Sequence, residues 1–175
     1  MALTGTIFIR GIREITVKGA TGTPVKLPAA QTLSFNEVLT SGELRGNDVV
    51  VANISFTDKV EWELESGGIS LEALKVLTGR TITLTGTTPN QVNTMTVKAG
   101  DSMPYFELRG RAISDNGGDF HVIMYKAKLS EGFEGELADE EFYVQSCSGV
   151  AVGRDSDSKI MDLVQNESAT ALPTS

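Results

Sequence analysis

The chain has 175 residues, the length of one domain with room for a sizeable core. Its 15 Lys and Arg residues against 23 Asp and Glu residues give a formal charge of −8, which argues against ordinary DNA binding. A single Cys and a single His exclude an intrachain disulfide and leave a Cys/His zinc site short of ligands.

The sequence carries neither a membrane span nor a secretion signal by pattern. No apolar run approaches the ~20 residues that cross a bilayer, and "MALTGTIFIR" lacks the charged and apolar regions of a signal peptide. We therefore expect a soluble protein of a reducing cytoplasm, with no membrane insertion by this chain.

The first elements follow from an alternation of apolar and polar residues with period two, which predicts about nine strands over the whole chain. Residues 6–19 are predicted as one strand, or as two short strands bent at Gly11. "QTLSFNEVL" and "VVVANISF" form the next two. Between them, residues 39–48 are polar and interrupted by glycine, which predicts a loop long enough to be functional.

The run "KVEWELESGG" follows and alternates with unusual regularity. Glu61, Glu63 and Glu65 fall on one face of this strand, opposite the apolar side chains. On the neighbouring predicted strand, Ser34 and Asn36 offer a matching polar face. The sequence predicts a sheet that is apolar inward and acidic outward, and a simple water-facing sheet fits this pattern equally well.

One segment, "SLEALKVLTG", is predicted to be helical. Ser70 is placed to cap the first amides, Glu72 suits the first turn, and Gly79 supplies a C-terminal stop. The predicted core anchors on this helix and on the preceding strand are Val60, Trp62, Leu64, Leu71, Leu74 and Leu77.

The remaining strands complete an all-β chain with one α-helix, arranged as a two-sheet β-sandwich or barrel-like fold. They are "RTITLTG", "QVNTMTVKAG", "YFELRGRAIS", "FHVIMYKAKL", "EFYVQSCSGVAV" and "KIMDLV". Asn116-Gly117 predicts a tight hairpin turn, and residues 130–141 predict an exposed acidic loop. We expect one domain over residues 1–166 and a flexible tail over residues 167–175.

Catalytic chemistry finds little support. His121 lies mid-strand without a Gly-flanked Ser, and no phosphate-binding or dinucleotide-binding glycine loop occurs. Glu61 and Glu63, about 6.6 Å apart on a strand, meet the spacing of glycosidase carboxylates. However, Trp62 points to the opposite face and the chain is 6% aromatic, so we predict no enzyme activity.

No metal or cofactor is predicted either. Asp115 and Asp119 in "DNGGD", and Asp155 and Asp157 in "RDSDSK", do not follow the twelve-residue calcium loop. These aspartates are interpreted as solvated turn residues. Cys147 lies in an apolar alternating run and is interpreted as a small buried side chain.

Several blocks, taken in order and spacing, resemble the major tail tube protein of long-tailed, siphovirus-type bacteriophages. They are "AQTLSFNEV", "ELRGND", "VEWELESGGISLEALKVLTG", "TTPNQ", "AGDSMPYFELRGRAISDNGGDFHVIMYKAKL" and "VQNESAT". The resemblance runs from about residue 29 to residue 171, and it is closest to the group in phages of Gram-positive, actinobacterial-type hosts. No single block is diagnostic.

The resemblance implies a virion structural protein that forms hexameric rings, stacked helically into a hollow tube. It implies, as partners, further copies of the chain, a tape-measure protein in the lumen, tail terminator and distal tail proteins, and double-stranded DNA passing through without specific binding. Assembly in the host cytoplasm and residence in the virion tail are expected.

Site roles follow from the resemblance. Glu61, Glu63 and Glu65, with Ser34 and Asn36, are expected to face the lumen, where an acidic wall repels DNA. The expected inter-subunit loop consists of Leu39, Thr40, Ser41, Gly42, Glu43, Leu44, Arg45, Gly46, Asn47 and Asp48. Alternatives left open are the tube of a contractile injection system, a β-sandwich module that binds a receptor, and a small hydrolase.

Overall fold

The structure, a computed structural model, describes residues 6–68, 70–115 and 117–174. Within these residues the chain is mostly β, with one α-helix and antiparallel pairing between strands, so the predicted fold class is confirmed. The helix α1 covers Leu71–Thr78. The strands are β1 (Ile9–Gly19), β2 (Val25–Lys26), β3 (Ala30–Gly46), β4 (Val49–Gly67), β5 (Ile82–Thr85), β6 (Val92–Met95), β7 (Phe106–Ser114), β8 (Asp119–Leu129), β9 (Glu134–Gly135), β10 (Val144–Ala151) and β11 (Met161–Asn166).

Nine of these strands form one sheet. Its order is β2-β1-β7-β8-β10-β4-β3, with β11 paired to β8 and β9 paired to β10, while β5 and β6 form a separate two-stranded sheet. The large sheet curls, because β3 at one end contacts β1 near the other end without pairing to it. Leu33 of β3 packs against Gly110 of β7, where an added Cβ would lie 2.5 Å from the Leu33 Cδ2 atom.

The core lies inside this curl. Trp62 contacts Phe106 edge-on, with 5.8 Å between ring centroids, and Gly149 leaves room for the indole. Leu71 is partly buried and packs against the core cluster. The structure buries the other residues named as anchors from the sequence: Val60, Trp62, Leu64, Leu74 and Leu77.

Helix α1 covers one side of the core, against β1 and β2. Ser70 caps it, since the Ala73 amide donates to the Ser70 hydroxyl at 3.3 Å. Gly79 ends it in the left-handed region, with φ of 71°, and its amide donates to the Lys75 carbonyl at 2.8 Å. These local signals are the ones that the sequence displays.

Residues 39–48 are not a loop, and the predicted secondary structure was wrong there. β3 continues to Gly46 and β4 begins at Val49, so the two strands make one long hairpin. Asn47 and Asp48 close it with φ of 52° and 63°, as a two-residue turn with two positive φ angles requires. Strand pairing satisfies the backbone here without any burial in the core.

The β7–β8 hairpin lies where "DNGGD" predicts it. Gly117 has φ of 95°, whereas Asn116 lies outside the described residues. Beyond β11, residues 167–174 lie against the body: the Ala169 amide donates to the Gly117 carbonyl at 3.1 Å, and Leu172 is buried. The predicted mobility of this tail stays a prediction.

Candidate interaction surface

Three strands form an acidic face on the outside of the curled sheet. Residues opposite each other on antiparallel strands share a face, so the register defines rows across β3, β4 and β10. One row is Ser34, Glu63 and Ser148, and the next contains Asn36 and Glu61. Glu65 lies opposite Thr32 and Ser146. We call Ser34, Asn36, Glu61, Glu63 and Glu65 the acidic face, and the structure brings all five together.

The acidic face is an open surface. A shallow groove of about 510 Å³ runs along it and includes Glu131, whose carboxylate accepts from the Ser148 hydroxyl at 2.9 Å. Lys59 contacts Glu61 at 2.8 Å, and this hydrogen bond, together with the charge of Glu61, raises the pKa of the Lys59 ammonium. The carboxylates stay among polar neighbours, exposed or half-exposed, as a solvated wall requires.

The side chains of the acidic face are not arranged as in a catalytic site. Glu61 is held by Lys59, and Trp62 points into the core on the other side of the strand. Among the described residues, no group of three or more His, Cys, Asp or Glu side chains is placed to hold a metal ion. The arrangement offers a charged surface for contact or repulsion.

The β3–β4 hairpin continues past this face as a projecting arm. We define the arm as residues 39–57, all of which are exposed. At about 3.3 Å per residue, its strand from Thr57 to Val49 extends about 30 Å beyond the core. The sequence predicted the strand "VVVANISF" but not its partner over residues 39–46, although the dipeptide Asn47-Asp48 beside the β-branched run "VVV" could have revealed the hairpin.

The two faces of the hairpin exchange polarity at the base of the arm. The pairing is regular from Thr32 opposite Glu65 to Val38 opposite Lys59, and then skips Asp58, so that Leu39 lies opposite Thr57. Asp58 is therefore a bulge in β4, while β3 continues to alternate. Side chains of β3 with even numbers stay on the side of the acidic face from Thr32 to Leu44. Beyond Leu44, opposite Ala52, a second irregularity skips Val51, and Arg45 pairs with Val50.

On that side the arm is apolar. Thr40 lies opposite Phe56, Gly42 opposite Ile54, and Leu44 opposite Ala52. Phe56, Ile54 and Leu44 expose 56%, 67% and 64% of their surface, which is unusual for large apolar side chains that lie in a row. We call the row of Leu44, Ile54 and Phe56 the apolar stripe.

The opposite side of the arm is polar at its centre and carries an apolar side chain near each end. Ser41 lies opposite Ser55, and Glu43 opposite Asn53, while Arg45 bonds the Glu43 carboxylate at 3.2 Å. Leu39, opposite Thr57, and Val50, opposite Arg45, are the apolar members of this side, and both are exposed. In the body of the hairpin this same side carries Leu33, Phe35 and the buried anchors. The hairpin is thus amphipathic along its length, but the apolar side of its body and the apolar side of its arm face opposite ways.

A buried charge cluster at the start of β8 corrects the interpretation of Asp119 as a solvated turn residue. Asp119 is fully buried. It accepts from Arg111 at 2.8 Å, from Asn166 at 2.7 Å and from the Thr170 amide at 2.7 Å. Burial raises the pKa of Asp119, but these bonds outweigh it and lower the pKa to about 2. His121, also buried, lies 3.2 Å from the same carboxylate.

This cluster joins the C-terminal segment to β7 and β8. Thr170 and Asn166 bring the C-terminal segment onto β8, and Arg109 bonds the Pro173 carbonyl. Sequence patterns do not reveal this cluster, because the partners of Asp119 are separated from it by up to 51 residues.

The loop between β10 and β11 holds the other two aspartates in ion pairs. Asp155 contacts Lys126 at 2.6 Å, and Asp157 makes a two-point contact with Arg154. The Arg154 hydrogen bond lowers the pKa of Asp157 to about 2. The Arg154 guanidinium also lies 4.2 Å from the centre of the Tyr125 ring. These contacts fix the loop.

The acidic segment 130–141 lies at the far end of β8, as an exposed stretch with a short pairing of β9 to β10. Leu137 exposes 83% of its surface, and Phe142, just beyond the segment, exposes 98%. Cys147 on β10 is buried, and burial raises its pKa to about 12, so the thiol is inert.

Fold and surface together define an all-β protein whose prominent features are an acidic sheet face and an exposed apolar arm. No helix in the described residues is long and apolar enough to cross a membrane. No family model matches the chain, and a search of curated proteins finds no match. Among solved structures it is similar to the SPP1 tail tube determined by solid-state NMR and cryo EM, with 12% identity, a TM-score of 0.40, and coverage of 90% of this chain and 77% of that chain. A likeness this distant carries no argument about function.

Proposed function

We propose that this chain is a structural virion protein, the subunit of the tail tube of a long-tailed bacteriophage. Copies associate into hexameric rings, and the rings stack helically into a hollow conduit. The observation that carries the proposal is the projecting arm, whose apolar stripe is exposed in the single chain.

The arm supports self-association for an energetic reason. An isolated two-stranded hairpin is marginally stable in water, and exposed apolar side chains in a row favour contact with another surface. Burial of a Phe, Ile or Leu side chain contributes roughly 1.5–3 kcal/mol each. An arm of this kind is costly for a monomer and useful for a subunit that meets a neighbour.

The acidic face supports the conduit. We assign Glu61, Glu63 and Glu65, with Ser34 and Asn36, to the lumen wall. Repeated around a ring, these carboxylates create a negative wall that repels the phosphates of DNA, so the genome slides without being held. The formal charge of −8 for the whole chain has the same sign.

The further partners belong to the same proposal. During assembly in the host cytoplasm the lumen houses a tape-measure protein, and tail terminator and distal tail proteins cap the two ends of the tube. We assign the inter-subunit contact that was expected of residues 39–48 to the arm as a whole, which contacts a neighbouring subunit.

The test replaces the arm. Linking Val38 to Lys59 through Asn-Gly, in place of residues 39–58, closes the hairpin with a two-residue turn at the last regular pair. We expect the wild-type protein to form rings or tubes in negative-stain images, and the armless variant to remain a folded monomer by circular dichroism and sedimentation.

The outcomes separate the candidate functions. Strictly monomeric wild-type protein at high concentration would overturn the conduit and favour a binding module. Tubes of unchanged appearance from the armless variant would remove the arm from the assembly mechanism. Enclosed DNA or tape-measure protein in tubes isolated from virions would support the lumen assignment.

A further inference from the structure

A second apolar surface lies at the seam where the curled sheet meets itself. It is a groove of about 380 Å³ between β3 on one side and β1, β7 and β8 on the other. We call this surface the seam groove. Its apolar lining includes Ile9, Ile12, Leu33, Phe35, Ala112 and Phe120. Ile9 and Phe35 are exposed, so the groove is open to a partner.

We infer that the seam groove receives the apolar stripe of the arm from a second copy of this chain. The inference rests on the proposed function, since it names the place where the arm binds. It goes beyond that function in assigning both halves of the contact.

Topology excludes the arm of the same chain. Leu33 and Phe35, which line the groove, have odd numbers on β3, whereas Leu44 on the apolar stripe has an even number on the same regular strand. The two sets therefore lie on opposite faces of one hairpin. An arm that bends back over its own groove presents Leu39, Ser41, Glu43 and Arg45 to it and turns the apolar stripe away, so the stripe can enter only the seam groove of another molecule.

Charge favours a second copy as that occupant. The arm carries Glu43 and Asp48 against the single cation Arg45. Strand β1, which forms one side of the groove, carries the exposed Arg10 and Arg13, with Asp115 3.4 Å from Arg10, while Glu14 of the same strand is paired with Lys26 at 3.2 Å. The arm is thus net acidic and the surroundings of β1 are net basic.

The contact joins two different patches, arm to groove. Two chains that exchange arms reciprocally would close a dimer, whereas a one-way contact leaves one free arm and one free groove on every pair and propagates into rings or along an axis. Each chain therefore carries both surfaces of the contact, the apolar stripe and the seam groove, as a growing assembly requires.

The first experiment fills the groove. Ala112→Trp places an indole in the groove, and Thr94→Trp adds the same bulk on the exposed β6 strand as a matched control. We expect the Ala112 variant to raise the protein concentration at which tubes appear by at least tenfold, and the control to behave as wild type. Ile9→Asp, at an exposed position, gives a second block if the indole disturbs folding.

The second experiment links the two halves. Separate chains carrying Ile54→Cys and Ile9→Cys are mixed and oxidised; the native Cys147 is buried and does not compete. We expect a disulfide-linked pair of the two variants. Ser55→Cys, the next residue and on the opposite face of the arm, is the matched control and should link at most one tenth as well.

The results distinguish this inference from the proposed function. If wild-type tubes form and both groove variants assemble normally, or if the Ser55 and Ile54 variants link equally, the groove assignment is overturned while the tube stands. If wild type stays monomeric and no link forms, both are overturned.

Discussion

The body and the arm of the β3–β4 hairpin are built from the same kind of strand and do opposite things with it. In the body, Val60, Trp62 and Leu64 are buried beneath the acidic face. In the arm, Ile54 and Phe56 lie on the acidic side and are exposed. The body stabilises the fold of one chain, whereas the exposed apolar surface of the arm is available for contact with another chain.

The difference teaches that apolar alternation along a strand does not reveal what it contacts. Read with period two, residues 52, 54 and 56 continue the row of 60, 62 and 64 on one face. The bulge at Asp58 moves them to the other face. Unfolding and association measurements should therefore respond to different halves of one hairpin.

The largest effect should come from the body. Trp62→Ala removes a core indole that contacts Phe106, and we expect a loss of about 3–5 kcal/mol in the free energy of unfolding. Ile54→Ala in the arm should change it by less than about 0.5 kcal/mol, because that side chain is 67% exposed. Urea unfolding of monomeric protein compares the two, and equal losses would mean that the arm packs on its own body.

A second effect, of about 2 kcal/mol, should come from Asp119→Asn, which removes the carboxylate that Arg111 and Thr170 hold. The pKa of Asp119 is about 2 in the folded chain, below its usual value, so its contribution is complete above about pH 4 and is lost as the pH falls toward 2. Unfolding measured from pH 7 to pH 2 should show this slope in wild type. If the Asp119→Asn variant shows the same pH dependence of the free energy of unfolding as wild type, the acid sensitivity belongs to another group.

A third effect should appear in association and leave unfolding unchanged. Phe56→Ser shortens the apolar stripe, and we expect at least tenfold weaker tube formation with unfolding within about 0.5 kcal/mol of wild type. Ser55→Ala, its neighbour on the polar face, is the control and should assemble normally. Equal loss from both substitutions would show that the arm contributes through its shape and not through this face.

The smallest effect should come from the acidic face. Changing Glu61, Glu63 and Glu65 together to Gln should alter unfolding by no more than about 0.5 kcal/mol, since exposed charges contribute little and salt screens their repulsion. Tubes should still form, and DNA delivery in an infection assay should slow. A block in assembly instead would place these carboxylates at a subunit interface.

The parts of the fold that sequence predicts are those with local causes. The helix is framed by Ser70 and Gly79, and the strict alternation of "KVEWELE" separates the acidic from the apolar side chains. The strand over residues 39–46 escaped prediction because this part of the hairpin leaves the core. The pattern used to predict strands was an alternation of apolar side chains that face the core. Asp119 escaped because its partners come from distant segments, which a local reading cannot assemble.

The bulge at Asp58 also sets the phase of the arm as far as Leu44 opposite Ala52, where a second irregularity precedes the tip. Because successive pairs along the hairpin face opposite ways, removing one residue from each strand of the arm would turn its tip over, and removing two from each would restore the original orientation. The number of residue pairs in the arm therefore determines two properties. A change of two pairs alters the reach of the subunit, while a change of one pair alters which face of the arm tip is presented to a partner.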